Sequence, residues 1–234
     1  MARPHIRRIS RTPMLSSRRK FTSALLVVDM QYDFVHGSLA VNDATSIIDK
    51  INYLLGLPFT IKIATKDWHP PDHVSFAMRH EKTPFSKITV YPPGDDRDDR
   101  AREQVLWPMH CVASTPGSDF VEGLHYKALN AVVHKGTHRD IETYSGFRDP
   151  WHITVTELPS LLEAQEVTNI FVVGLAGDYC VKCTALDAVE FGYETWVVRE
   201  AVRDVFDTET HWEEMKKKGI HMVNITEVEE MLKD

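Results

Sequence analysis

The sequence predicts a single α/β domain: a mostly parallel, six-stranded sheet with helices on both faces, three layers in all. Three observations predict it. Short, wholly apolar runs recur along the chain, as strands buried on both faces require. Between them lie segments whose apolar residues repeat every three or four positions, the stripe of an amphipathic helix. A length of 234 residues, 43% hydrophobic and 26% charged, suits one well-covered core of this kind and excludes wholesale disorder.

Ala24–Val28 (ALLVV) is the first predicted strand. Ile47, Ile48, Ile51, Leu54 and Leu55 then mark a helix. Ile61–Thr65 (IKIAT) is the second strand, Ala131–His134 (AVVH) the third and Ile170–Gly174 (IFVVG) the fourth. Val181, Ala185, Ala188 and Val189 form another helical stripe, ended near Gly192. Thr195–Val198 (TWVV) is the fifth strand. A polar helix around Thr208–Lys218 follows, stopped by Gly219, and Met222–Ile225 is a short sixth strand. Thr226 with Glu229 is the expected capping box of a last helix. Strands alternating with helices imply right-handed βαβ crossovers. No internal repeat is present. The interval Pro70–Gly123 lacks clean periodicity, and its DDRDDRARE run (Asp95–Glu103) is expected to be a solvated excursion.

Charge divides the chain unevenly. The net charge is −7, yet residues 1–28 hold seven basic side chains (Arg3, Arg7, Arg8, Arg11, Arg18, Arg19, Lys20) and no acid. The first twenty residues therefore read as a basic, disordered extension, with a targeting segment or a cloning remnant as the alternatives. The acidic remainder argues against nucleic-acid binding. Three cysteines make no disulfide framework and point to a reducing compartment. No apolar run approaches the roughly 20 residues that span a bilayer. A cytoplasmic protein is expected, or a nuclear or organellar one if the extension is an address, with no membrane partner and homo-oligomerisation open.

Reactive residues gather where the predicted strands end. Asp29 follows the first strand, Asp67 and His69 the second, Lys135 the third and Cys180 the fourth. In a parallel sheet these ends form one edge, where ligands bind. Cys180 follows a tight turn (GLAGD) at the start of a helix, where the dipole and unpaired N–H groups favour a thiolate and an oxyanion. A lone cysteine is otherwise a small buried apolar residue. Asp29 is either a helix cap or a general base for a thiol. Lys135 is a lysine reaching water or a partner of Asp29 that stabilises an anionic intermediate. D-x-H at a strand end points both side chains the same way, and His110 in LWPMHC could join Asp67 and His69 around Zn²⁺, Fe²⁺ or Mn²⁺. His36, His73, His80, His134 and His138 keep that choice open. Cys183 completes a C-x-x-C with Cys180 but has no second pair, so Cys183 and Cys111 read as structural.

These motifs carry a resemblance. VVDMQYDF, TKDWHP (Thr65–Pro70), LWPMHC, HKG, YSGF (Tyr144–Phe147) and GLAGDYCVKCTA occur in an order similar to that of the nicotinamidases, isochorismatase-like cysteine hydrolases with a Rossmann-like sheet. The resemblance runs from about Ala24 to Ala201, and it makes 21–234 the hydrolase domain. It implies Asp29, Lys135 and Cys180 as a catalytic triad, and Asp67, His69 and His110 as ligands of one divalent metal ion, Zn²⁺ first. It implies that this ion binds the pyridine nitrogen of nicotinamide. His73, Ser75 or water would fill a further ligand position. It places Phe34, Trp107 and Tyr144 in an aromatic substrate slot, residues that would otherwise be ordinary core. It also implies a cis peptide before Ala176, with the Ala176 and Cys180 N–H groups as an oxyanion hole. The implied reaction is deamidation of nicotinamide to nicotinate and ammonia through a thioester, a step in NAD salvage.

Other readings make different demands. A related amidohydrolase acting on ureido compounds would lack the Asp-x-His…His set, and isochorismatase proper would lack Cys180. A silent scaffold on the same fold would not need all six positions, and a redox protein using Cys180 and Cys183 would need no metal.

Overall fold

The computed structural model describes residues 20–95, 97–206 and 208–233. Apart from Lys20, the basic extension lies outside them. Along the chain the elements are β1 (Ser23–Val28), α1 (Tyr32–Val35), α2 (Ile48–Leu55), β2 (Ile61–Asp67), β3 (Lys87–Val90), β4 (Arg102–Val105) and β5 (Ala131–Lys135). Then come α3 (Leu158–Ala164), β6 (Asn169–Leu175), α4 (Lys182–Glu190), β7 (Glu194–Arg203), α5 (Thr210–Lys217), β8 (His221–Val223) and α6 (Ile225–Met231). Six strands form one parallel sheet in the order β5-β2-β1-β6-β7-β8. The strand order reverses between β1 and β6, so a crevice opens beyond their carboxyl ends.

Alternation along β1 shows why the sheet sits between two layers. Leu25 and Val27 face one core with Ile47, Ile51, Leu54 and Leu55 of the α2 region and Val228 of α6. Ala24, Leu26 and Val28 face the other, with Leu158 and Leu162 of α3, Ala185 and Ala188 of α4, and Trp212 and Met215 of α5. Burying a Val or Leu side chain fully contributes roughly 1.5–3 kcal/mol, and β1 buries all of its own. That anchoring holds the strand ends in place for the polar groups that follow them. No helix among the described residues is long and apolar enough to cross a membrane.

Three local expectations are corrected. The interval 70–123 contains an antiparallel pair, β3 with β4, joining Lys87 to Val105 and Val90 to Arg102, so the charged run is partly a strand. Exposure along β3 alternates, but only over four residues, too short a run to stand out in the sequence. The last helix starts earlier than expected. Its box is Asn224, which accepts from Glu227 N–H at 2.9 Å, while Glu227 accepts from Asn224 N–H at 2.8 Å. Glu229 instead accepts from the Tyr53 hydroxyl. The sixth strand accordingly ends at Val223, because Asn224 is already the cap.

Gly174 sets how closely β6 approaches β1. Its φ is +112°, and a Cβ there would stand 2.1 Å from the Val28 carbonyl oxygen. The Gly174→Ala variant is expected to lose about 3 kcal/mol or more of stability, because backbone must shift. Chemical denaturation would measure that loss.

Candidate active site

Asp29 leaves β1 with φ +49°, its N–H on the Thr65 carbonyl at 3.2 Å. The Thr65 hydroxyl donates to Asp29 Oδ1 at 2.7 Å. Lys135 ends β5, in register with Asp67 at the end of β2. Cys180 lies beyond β6 in one π turn, Gly177–Val181, that leads into α4. The Leu175–Ala176 peptide is cis. Ala176 O accepts the N–H groups of Tyr179 and Val181, both at 3.0 Å, which puts Ala176 and Cys180 on one turn.

The Lys135 ammonium is the centre of this edge. It lies 2.9 Å from Asp29 Oδ2, donates to Asp67 Oδ1, and donates to Cys180 Sγ and the Thr143 carbonyl, each at 3.3 Å. Burial alone would lower its pKa, but Asp29 and Asp67 outweigh burial and raise it. Burial pushes the Asp29 carboxyl up to about 6, and Lys135 restrains the rise. Burial also raises Asp67, yet Lys135 and the neighbouring imidazoles outweigh it and hold that carboxyl below the usual range. The Cys180 thiol is pushed well above 9 by burial, more than Lys135 draws it back. Desolvation of the anion thus opposes the help that the start of the helix gives a thiolate, and a base that takes the thiol proton offsets it. A carboxylate oxygen of Asp29 lies within 4.8 Å of the sulfur.

Beside this group, Asp67, His69 and His110 bring one ligand atom each within 4.8 Å of one another, all buried. His69 Nδ1 donates to the Gly136 carbonyl at 2.8 Å, and His110 Nδ1 to the Pro108 carbonyl at 2.7 Å. With Nδ1 of each ring committed to a carbonyl, each turns Nε2 inward, at 3.5 and 3.8 Å from Asp67 Oδ2, where a neutral ring offers a lone pair; against its burial, Asp67 raises the His69 pKa. His69 Nε2 is buried without a hydrogen-bond partner. An orphaned imidazole nitrogen, a second one beside it and a carboxylate suit a divalent cation, with carbonyls fixing the ring orientations. One ammonium facing two carboxylates also leaves negative charge that such an ion offsets. Held back by its two hydrogen bonds, His73 has no nitrogen to spare: Nδ1 accepts from the Ser75 hydroxyl at 2.8 Å and Nε2 donates to the Ile141 carbonyl at 3.1 Å. His134 stacks on Trp68, and His80 bonds the Val74 carbonyl.

Phe34, Trp107 and Tyr144 line a narrow slot with Cys180, Asp67 and His110 at its polar end. The Tyr144 hydroxyl accepts from Gln104 Nε2 at 2.9 Å and Trp107 Nε1 at 3.0 Å, which fixes both rings. All the expected site residues thus meet at one edge. Sequence reasoning missed Leu39, Tyr179 and Val205, which also line the slot. Of these only Tyr179 carried a signal, its place beside Cys180. It also missed Gln31, whose side-chain amide spans Asp67 N–H and C=O, both at 2.8 Å, and so ties β1 to β2. Glu142 is a further buried carboxyl near His69 and His73, raised by burial.

Similar proteins are known at the level of family, sequence and overall structure. The isochorismatase domain family matches residues 23–227. A nicotinamidase of Saccharomyces cerevisiae is 36% identical over 213 residues, covering 87% of this chain and 98% of that protein. Among solved structures, an Acinetobacter baumanii nicotinamidase/pyrazinamidase superposes with a TM-score of 0.80 at 38% identity, covering 88% of this chain and 98% of that one. A Pyrococcus horikoshii pyrazinamidase in complex with zinc superposes with a TM-score of 0.67 at 34% identity, covering 87% and 99%.

Gly136 supplies a test of the His69 pocket. Its φ is +62°, and an added Cβ would stand 2.4 Å from His69 Cε1. The Gly136→Ala variant is expected to bind Zn²⁺ roughly 10–100-fold more weakly while keeping its circular dichroism spectrum, because the displaced ring loses its orienting carbonyl. Competition with a chelating dye would report the change.

Proposed function

The chain belongs to the isochorismatase domain family, and on that premise we propose that it is a nicotinamidase, deamidating nicotinamide to nicotinate and ammonia. The domain that does so is 21–234. The observation that carries the reading is the buried Lys135 ammonium joining Asp29, Asp67 and the Cys180 thiol at the end of an aromatic slot.

Asp29, ionised near neutral pH, takes the thiol proton as Sγ attacks the carboxamide carbon. The C–S bond forms while the carbonyl π pair moves onto oxygen, against the N–H groups of Ala176 and Cys180 and near the Lys135 charge. Asp29 then returns the proton to nitrogen, the C–N bond breaks and ammonia leaves a thioester. A water molecule, deprotonated by Asp29, attacks that carbon. Collapse releases nicotinate, and the sulfur regains its proton. Lys135 remains protonated throughout, since both carboxylates raise its pKa.

Phe34, Trp107 and Tyr144 would hold the flat ring so that its carboxamide faces Sγ, a positioning effect that lowers the barrier without new bonds. Asp67, His69 and His110 would hold one divalent ion, Zn²⁺ foremost. Its contribution when bound is a Lewis-acid contact to the ring nitrogen that orients the substrate. The zinc complex of the Pyrococcus relative supports that choice of ion. His73 is the weaker candidate for a further ligand, leaving Ser75 or water.

The direct test is ammonia release from nicotinamide by the purified protein, with and without a chelator, beside the Cys180→Ala variant. Wild type is expected to release ammonia and lose the activity with chelator. The variant is expected to bind nicotinamide yet turn over at least about 10⁴-fold more slowly. Ammonia release by the variant at the wild-type rate would sink the nucleophile assignment.

Acid should switch the reaction off. Asp29 acts as base only when ionised, and with its pKa raised to about 6, kcat/KM is expected to fall as the pH drops through about 6. The Thr65→Val variant removes a hydrogen bond that favours the ionised carboxylate, so its acid limb should move to higher pH. A pH–rate profile for both proteins checks the midpoint and the sign.

A further inference from the structure

The aromatic wall of the slot continues outward into two residues for which the reaction above has no use. Trp107 and Tyr179 meet edge to face, with ring centroids 4.9 Å apart. Tyr179 lies 6.3 Å from Phe206, Phe206 lies 6.5 Å from Phe85, and Phe85 lies 5.9 Å from Trp107, so four rings close a cycle. Trp107 is 3% exposed, whereas Phe85 and Phe206 are 51% and 44% exposed. The cycle thus has an inner pair that lines the slot and an outer pair that faces solvent.

Each outer ring is tied by backbone to the neighbour of its inner partner. Phe85 N–H donates to the carbonyl of Leu106, one residue before Trp107. The carboxylate of Asp178, one residue before Tyr179, accepts the N–H groups of Val205 at 2.9 Å and Phe206 at 3.0 Å. Phe85 also holds φ +68°, a left-handed conformation rare for a bulky side chain, so its surroundings impose its position. The two arms come from distant parts of the chain and meet at Phe85 and Phe206 as they do at Trp107 and Tyr179.

We infer that Phe85 and Phe206 are specificity-determining residues for ring size. By bracing Trp107 and Tyr179 from behind, they hold the slot at the width of one planar ring and so favour monocyclic heteroaromatic carboxamides over fused bicyclic ones. The inference rests on the nicotinamidase reading for its substrate class. Its physical basis is that a wall unsupported on its outer side can retreat, which loosens contact with a small ring and admits a larger one.

The test compares kcat/KM for nicotinamide and quinoline-3-carboxamide in wild type, in the Phe85→Ala/Phe206→Ala double variant and in the Phe85→Leu/Phe206→Leu double variant. Both positions are exposed, and thermal melts would report that each variant is folded. In the alanine pair the preference for nicotinamide is expected to fall at least about tenfold, with nicotinamide KM raised and its kcat within about twofold of wild type. The leucine pair, which restores bulk, should keep most of the preference. An unchanged preference in the alanine pair, including an equal loss on both amides, overturns the inference and leaves the nicotinamidase reading standing. If wild type releases no ammonia from nicotinamide, that reading fails instead. Calorimetric affinities for the same two amides in the same three proteins then decide the inference by the same preference ratio.

Discussion

A single buried ammonium organises the catalytic edge of this protein. Lys135 reaches Asp29, Asp67, the Cys180 sulfur and the Thr143 carbonyl from the end of β5. Four chain segments therefore converge on one cation, whose charge offsets the two buried carboxylates. Removing one partner of a buried ion pair typically costs about 3–5 kcal/mol, because the remaining charge is left unpaired. The apolar strands around the group make that arrangement affordable, since β1 and β6 are buried throughout and cannot drift. Gln31 and Thr65 add direct ties between β1 and β2 at the level of the site.

That convergence also sets the proton inventory. Two carboxylates of the same residue type, both fully buried, are driven in opposite directions. Asp67, closest to Lys135 and the imidazoles, stays ionised, whereas Asp29 is raised toward neutrality. In the proposed reaction the first is suited to holding a cation and the second to carrying a proton. Burial raises the pKa of the thiol, so in the proposed reaction its deprotonation falls to a neighbouring base.

The substrate slot joins this polar floor to an aromatic wall. The floor takes Asp29, Asp67 and Lys135 from strand ends held by the sheet, with Cys180 on the turn after β6 and His110 on the loop after β4. The wall is built from loops: Trp107 follows β4, Tyr144 lies between β5 and α3, and Tyr179 occupies the π turn. Loops hold rings less firmly than strands do, and here the rings hold one another. Tyr144 receives hydrogen bonds from Gln104 and Trp107, and Trp107 stands against both Tyr179 and Phe85.

Much of this was legible in the residues. Apolar runs and helical stripes located the six parallel strands and the helices α2, α4, α5 and α6, because period and burial are written locally in a chain, whereas the short α1 and α3 were not read. Asp29, Asp67, Lys135 and Cys180 could be placed at one edge because strand ends in a parallel sheet share a side. The ordered motifs added His69, His110 and the slot residues Phe34, Trp107 and Tyr144. The hairpin of β3 and β4 stayed hidden, since four-residue strands leave little period to read, and the final capping box was displaced by two residues because two polar pairs of the right spacing competed. Only the tertiary structure could decide the rest. Which histidines turn a free nitrogen inward depends on the carbonyl of Gly136, 67 residues from His69, and that of Ile141, 68 residues from His73, beside the local carbonyl of Pro108. Whether Cys180 rests as thiol or thiolate depends on how completely it is buried and on which charges surround it. Phe85 and Phe206 meet across the slot's outer wall although more than a hundred residues separate them. Desolvation, charge pairing and ring packing act through space, and no spacing along the chain encodes those distances.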